Sequence, residues 1–225
     1  MKLGLIKTGA SADYDDEFME AMASEYERMT PWTRMRLENV RLLVDPQPGD
    51  RVLDIGSAAG AIVHYLSTFG CEPIGVDLSE LGVQKARERF PGLRFEVGDA
   101  ARLPFADAGF DKVVAADVTE HLDDATLRGM FVEARRVLVP GGTLSIHTPN
   151  PKHVIERMKA HDFLLEQNPT HIGLRTRREL RDELERAGFT IELDLKRPSF
   201  YPGLRTIDRL TRSTYRICIR ARSDR

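Results

Sequence analysis

The sequence predicts an α/β fold built on a mostly parallel sheet, and three observations carry that expectation. Short runs of near-continuous Val, Ile and Leu recur along the chain, which suits strands buried on both faces. Amphipathic segments of helical period separate them. A glycine turn, "DIGSAAG", joins the first such run to the helix after it.

The elements follow in order. Asp15 to Ser24 and Thr33 to Val44 read as helices with Pro31 at the break between them. "DPQPGD" ends the second and launches a strand over Arg51–Ile55. Helix 59–69 precedes strand 73–77, and helix 79–90 precedes strand 93–97. After "GDAARLPFADAG", strand 110–116 leads to helix 124–138, and "VPGG" turns into strand 143–148. Residues 150–176 fit no core element and read as an insertion. Helix 176–187, ended by Gly188, precedes strand 189–195. "TYRICIRARS" alternates, with Tyr215, Ile217, Ile219 and Ala221 on one face and Arg216, Cys218, Arg220 and Arg222 on the other. That pattern predicts an antiparallel strand with one wet face. The division expected is a helical cap over residues 1–48, lying across the mouth of the sheet, and one α/β domain over residues 49–225.

Composition narrows the function. With 225 residues, 41% hydrophobic and 30% charged, the chain suits a single globular domain. A net charge of -2 gives no general attraction to nucleic acid or to a membrane surface. Charge is uneven locally: residues 13–28 carry -6 and residues 196–225 carry +7. No run approaches a membrane span, and the first ten residues make no signal peptide. Cys71 and Cys218 lack metal-type spacing and read as buried thiols of a reduced, cytoplasmic protein.

In open α/β sheets the ligand lies beyond the carboxyl ends of the strands, where the first βα turn meets it. Here the turn is Asp54-Ile55-Gly56-Ser57-Ala58-Ala59-Gly60, without the middle glycine that lets a backbone approach a pyrophosphate. A carboxylate at Asp54 repels phosphate and attracts a cation. Nor is there a triphosphate loop. The second strand ends at Asp77, 21 positions beyond Gly56, where a carboxylate suits ribose hydroxyls. The third is followed by "VGDAARLPF", placing Asp99 and the Ala100 amide to meet an adenine.

In this order the motifs "VLDIGSAAG", "GVDLSE", "VGDAARLPFADAGFDKVVAADVTEHL" and "EARRVLVPGGTLSIHTPN" resemble the class I S-adenosylmethionine-dependent methyltransferases, particularly the small-molecule branch that includes ubiquinone biosynthetic O-methyltransferases. The resemblance covers most of residues 51–150. It implies a Rossmann-like, seven-stranded sheet whose last strand is antiparallel. It also implies S-adenosyl-L-methionine as cofactor and a small-molecule acceptor. By resemblance Gly56, Ser57, Ala58 and Gly60 pack on the methionine part, Asp77 and Leu78 meet the ribose, and Asp99 and Ala100 meet the adenine. Ser57-Ala58-Ala59 departs from the family's commoner glycine-containing turn, which tightens the loop.

Methyl transfer needs an aligned nucleophile and, for a hydroxyl, a base. "AADVTEHLDD" directs Asp117, Glu120 and His121 towards the mouth, Asp117 beside the cofactor and His121 as the first candidate base. Asp117-x-x-Glu120-His121 also resembles the E-x-x-E-H pattern of some small-RNA 2′-O-methyltransferases and quinone O-methyltransferases. That resemblance implies a divalent metal on Asp117, Glu120, His121 and a later histidine, here His171 in "NPTHIGLRT". The metal would acidify the acceptor hydroxyl. His153 and His161 read as surface or lid residues, and His147 as facing either core or ligand. Tyr14, Tyr26 and Trp32 read as helix-interface aromatics, and Arg175 and Arg177 as solvated or bound to an acidic substrate. The expected function is transfer of a methyl group to a small molecule, on a hydroxyl oxygen, with RNA ribose 2′-O-methylation or small-molecule N- or C-methylation as alternatives. Amino-base methylation of DNA lacks its [DN]-P-P-[FYW] motif here.

Overall fold

A computed structural model describes residues 20, 24, 26–161, 168, 170–197, 206, 208 and 214–224. Tyr14 and all but residues 20 and 24 of the helix expected at Asp15–Ser24 lie outside them.

Seven strands form one sheet: β1 (Arg51–Ile55), β2 (Glu72–Asp77), β3 (Arg94–Val97), β4 (Phe110–Ala116), β5 (Leu138–Pro149), β6 (Phe189–Leu195) and β7 (Arg216–Ser223). Their order is β3-β2-β1-β4-β5-β7-β6. Only β7 is reversed, running antiparallel to both β5 and β6. Strand direction is legible in the residues. Val52, Leu53, Ile55 and Val113 to Ala116 are all buried, as central parallel strands require. β5 begins at Leu138 instead of the expected Thr143, and its ladder with β4 shifts register across "VPGG", from Phe110 opposite Leu138 to Lys112 opposite Thr143.

Six α-helices are described: α1 (Pro31–Val44), α2 (Ala61–Ser67), α3 (Glu80–Arg89), α4 (Asp124–Val137), α5 (Val154–Ala160) and α6 (Arg177–Arg186). Caps set their starts. Thr30, Ser79, Asp123 and Thr176 each accept a hydrogen bond from an amide in the first turn, and Pro31 occupies the first position of α1.

α1 does not lie over the mouth of the sheet. It runs along one face, with Leu37, Val40 and Val44 packed in one cluster with Val52, Ile62, Leu66, Val114 and Ala116. The spacing i, i+3, i+7 makes one apolar stripe, and the sheet face is the nearest apolar surface for it. Its N-terminal half still reaches the mouth: Arg36 Nη2 donates to Ala116 O at 3.2 Å.

The same packing overturns the wet face expected on β7. Arg216 and Cys218 are buried there, because α1 covers them, and of the arginines on that face only Arg222 is exposed. His153 is likewise no surface residue. It is buried, its Nε2 lies 2.7 Å from Asp208 Oδ1, and its Nδ1 accepts from Ile155 N to start α5. His161 is exposed, as expected. Both cysteines are buried and free. No helix among the described residues is long and apolar enough to cross a membrane.

Candidate active site

The turn after β1 folds back on β2. Gly56 N and Ser57 N both donate to Val76 O, at 2.8 and 3.1 Å. Two glycines are obligatory. Gly56 has φ +75°, and an added Cβ would stand 2.3 Å from Val118 Cγ2. Gly60 starts α2 at φ +83°, with Phe95 Cζ 2.7 Å from the same position. Ala58, where a middle glycine is commoner, also has a positive φ of 43° and carries the associated strain.

Asp77 holds this turn: its Oδ2 accepts from Ala58 N at 2.8 Å and its Oδ1 from Ser79 N at 2.8 Å. Burial pushes its carboxyl above the usual range. Leu78 and Val97, at the tips of β2 and β3, are exposed apolar residues, 61% and 42%. Asp99 is exposed beside them, one carboxylate oxygen accepting from Ala101 N, and Ala100 is half-buried.

Asp54 is the decisive group. It is fully buried, and among the described residues neither carboxylate oxygen has a hydrogen-bond partner. Burial, opposed by Arg36, pushes it up to about 8. The neighbouring Ser57 Oγ is buried and unpartnered as well. Orphaned buried polar atoms are costly unless a ligand satisfies them. An acid beneath a glycine turn, flanked by an unsatisfied hydroxyl, fits the ammonium end of a sulfonium amino acid and no phosphate.

At the end of β4 the chain turns through Asp117, at φ +61°, into a short 3-10 helix, Thr119–His121. Asp117 is bound from three sides: Arg36 Nε at 2.6 Å, Arg216 Nη1 at 3.1 Å and His147 Nδ1 at 3.4 Å. Burial opposes its ionisation, but Arg216, His147 and Arg36 outweigh it and hold the carboxyl well below the usual range. Arg216 in turn lies over the Trp32 ring, 4.3 Å from the centroid.

Glu120, His121 and His171 come together, each offering a ligand-type atom, all within 4.8 Å of one another. Asp117 is outside that group. Glu120 is buried; its Oε2 accepts from Thr148 Oγ1 at 2.9 Å. Burial and the Asp117 charge push its carboxyl up to about 8. Burial lowers His121, and burial with His121 beside it lowers His171 to about 4. His121 Nδ1 lies 3.1 Å from Thr170 O. A carbonyl only accepts, so that nitrogen carries the hydrogen and the basic lone pair is on Nε2. The centre at neutral pH is therefore a protonated acid beside two neutral imidazoles.

Similarity to known proteins agrees with this geometry. Residues 52–142 match the model of a methyltransferase domain family. A protein of Mycolicibacterium smegmatis named "Probable S-adenosylmethionine-dependent methyltransferase" is 33% identical over 80% of this chain and 70% of its own. The chain belongs to the S-adenosylmethionine-dependent methyltransferases. It is also 32% identical to 24-methylenesterol C-methyltransferase 2 of Oryza sativa, over 76% of this chain but only half of that protein's length. In structure it is similar to a chain of the Haloferax volcanii complex between the Trm112 methyltransferase activator and a methyltransferase, with TM-score 0.71, 20% identity, and 98% and 100% of the two chains covered.

Sequence reasoning missed several residues that the structure brings against Asp117, Glu120 and His121. Arg216 read as a charge on a wet strand face, Arg36 was given no role, and Thr148 and Thr170 lay inside the quoted motifs without a role of their own. Their signal exists only as proximity: residues 81 and 99 positions from Asp117 meet it in space. Arg175 is a brace, donating to Thr119 O, Leu122 O and Gly173 O.

Proposed function

We propose that the chain methylates a hydroxyl oxygen of a small organic molecule, with His121 as the general base. The reading is supported by one observation above all, the tautomer imposed on His121 by Thr170 O, which puts a neutral basic nitrogen among the groups at the end of β4. In this reading Asp54 and Ser57 hold the methionine end of the cofactor, Asp77 and Leu78 the ribose, and Asp99 and Ala100 the adenine. Bound there, S-adenosylmethionine supplies an electrophilic methyl carbon and leaves as a neutral thioether. His121 Nε2 takes the hydroxyl proton as the carbon–oxygen bond forms. The protonated Glu120 donates a hydrogen bond to the acceptor and holds it in line. Residues 150–176 carry His171 and the exposed Ile172, and they select the acceptor. A fully apolar rim residue beside the imidazoles suits an organic molecule better than a nucleic-acid backbone.

The test is His121→Asn. Loss of a general base lowers kcat by about 10²- to 10⁴-fold, while calorimetric affinity for S-adenosylhomocysteine stays within about twofold. Unchanged turnover would remove His121 from the mechanism.

A second reading rests on the donor set itself. A carboxylate and two imidazoles suit Zn²⁺ or Fe²⁺, and a dication would supply the charge that lets buried Glu120 ionise. Glu120, His121 and His171 would hold it, and bound there it would acidify the acceptor hydroxyl. Calorimetric titration with Zn²⁺ and Mn²⁺, wild type against His171→Ala, decides between base and metal; identical flat traces discard the metal.

A further inference from the structure

Beyond the reacting centre the structure holds a second cavity, of about 700 Å³, between the start of α5, the start of α6 and the ends of β6 and β7. Six cations line it: Lys152, Arg157, Arg177, Arg178, Arg181 and Lys196. Only two carboxylates accompany them. Asp194 pairs with Arg177 and with Arg181, the latter at 3.6 Å, and Asp182 lies 3.8 Å from Arg178. Among the described residues Lys152, Arg157 and Lys196 make no ion pair, so the cavity keeps a formal excess of four positive charges. Such an excess on a concave wall focuses positive potential.

The wall is not loosely built. Arg177 is partly buried, fixed by Asp194 and by a 2.9 Å hydrogen bond to Thr214 Oγ1. Asn150 ties β5 to β7 there through Thr214 O, at 2.6 Å. The Arg157 guanidinium, without an ion pair among the described residues, suits bidentate recognition of a phosphate group, while Lys152 and Lys196 supply unspecific charge.

The cavity's lining lies close along the chain to groups at the end of β4. Asn150 is two residues beyond Thr148, which binds Glu120. Thr214 is two residues before Arg216, which binds Asp117. Thr176 is five beyond His171. Two residues span at most about 7 Å, so short stretches of chain join the cavity's lining to the residues that bind Glu120 and Asp117.

We infer that this cavity binds a phosphate or diphosphate group carried by the methyl acceptor. The inference rests on the methyltransferase reading and adds the acceptor's chemical class to it.

The test titrates wild type and Lys152→Ala/Arg157→Ala with inorganic pyrophosphate, inorganic phosphate and phenyl phosphate, each in saturating S-adenosylhomocysteine. Both substituted side chains are exposed, so thermal midpoints should agree within about 2 °C. Wild type should bind pyrophosphate with an affinity that falls about tenfold or more between 50 and 200 mM salt, and the double variant at least tenfold more weakly. Phenyl phosphate should bind at least fivefold more tightly than inorganic phosphate, since its organic part continues towards the centre. Absent pyrophosphate binding, or binding unaltered in the variant, overturns the site. Equal affinity for the two phosphates overturns the assignment to the acceptor, leaving a site for a free anion. Failure to bind S-adenosylhomocysteine is a separate result that strikes the methyltransferase reading instead.

Discussion

Asp54 shows what burial does to a single carboxyl group. Its folded pKa of about 8 lies above the ordinary 3.8 because burial penalises the charge. The sign follows from linkage. The folded state favours the proton, so the stability this group contributes is complete below about 4 and is lost as pH rises to about 8. Thermal midpoints of the cofactor-free protein should therefore fall across that window, and Asp54→Asn should flatten the decline. In the proposed reading cofactor binding reverses the preference, since the ammonium of the methionine end favours the carboxylate. Binding of S-adenosylhomocysteine at pH 7 should release about one proton, seen as a dependence of calorimetric enthalpy on the buffer's ionisation heat. Asp54→Asn should abolish that dependence. Asp54 was legible as a cation-facing acid because it precedes the glycine turn. Its lack of a hydrogen-bond partner among the described residues was not, since that depends on Arg36 being drawn to Asp117 instead.

At the level of elements, α1, β4 and β7 meet at one carboxylate. Arg36 and Arg216 converge on Asp117 from opposite elements, and Trp32 at the start of α1 covers Arg216. Removing the shared charge leaves two largely buried guanidiniums opposed. Asp117→Asn should cost about 3 kcal/mol or more, read as a lowered denaturant midpoint in chemical unfolding. The loss should be smaller in an Asp117→Asn/Arg36→Met background, which removes one of the stranded charges, and additive values would deny the coupling. The helix and strand themselves were readable from periodicity and caps. Their meeting was not: α1's apolar stripe says that it packs, and nothing in it says on which face or across which strand. That choice also turned Arg216 and Cys218 from an expected wet face into core.

For the whole molecule, the sheet and the cofactor crevice form one cooperative unit, because the glycine turn is bonded to β2 through both Val76 O and Asp77. S-adenosylhomocysteine at 100 times its Kd should stabilise the fold by about 2.7 kcal/mol, which for a domain of this size raises Tm by roughly 5 to 10 °C. Asp77→Ala cuts the turn from β2 and, in the proposed reading, removes the ribose partner, so the ligand-induced rise should vanish. A full rise in that variant would remove Asp77 from the crevice.

Taken alone, the sequence determined the alternation of strands and helices, the glycine turn and the acids at the strand tips. These are local patterns, written in residues within a turn or two of each other, and so they survive as linear signals. Tertiary structure alone decided which of the acids stays free for a ligand and which is consumed by arginine. It also gathered Glu120, His121 and His171 without Asp117, and assembled a cationic cavity from four separate stretches of chain. Electrostatic energy falls with distance in space, so charges far apart along the chain acquire their roles only when folding brings them within a few ångströms.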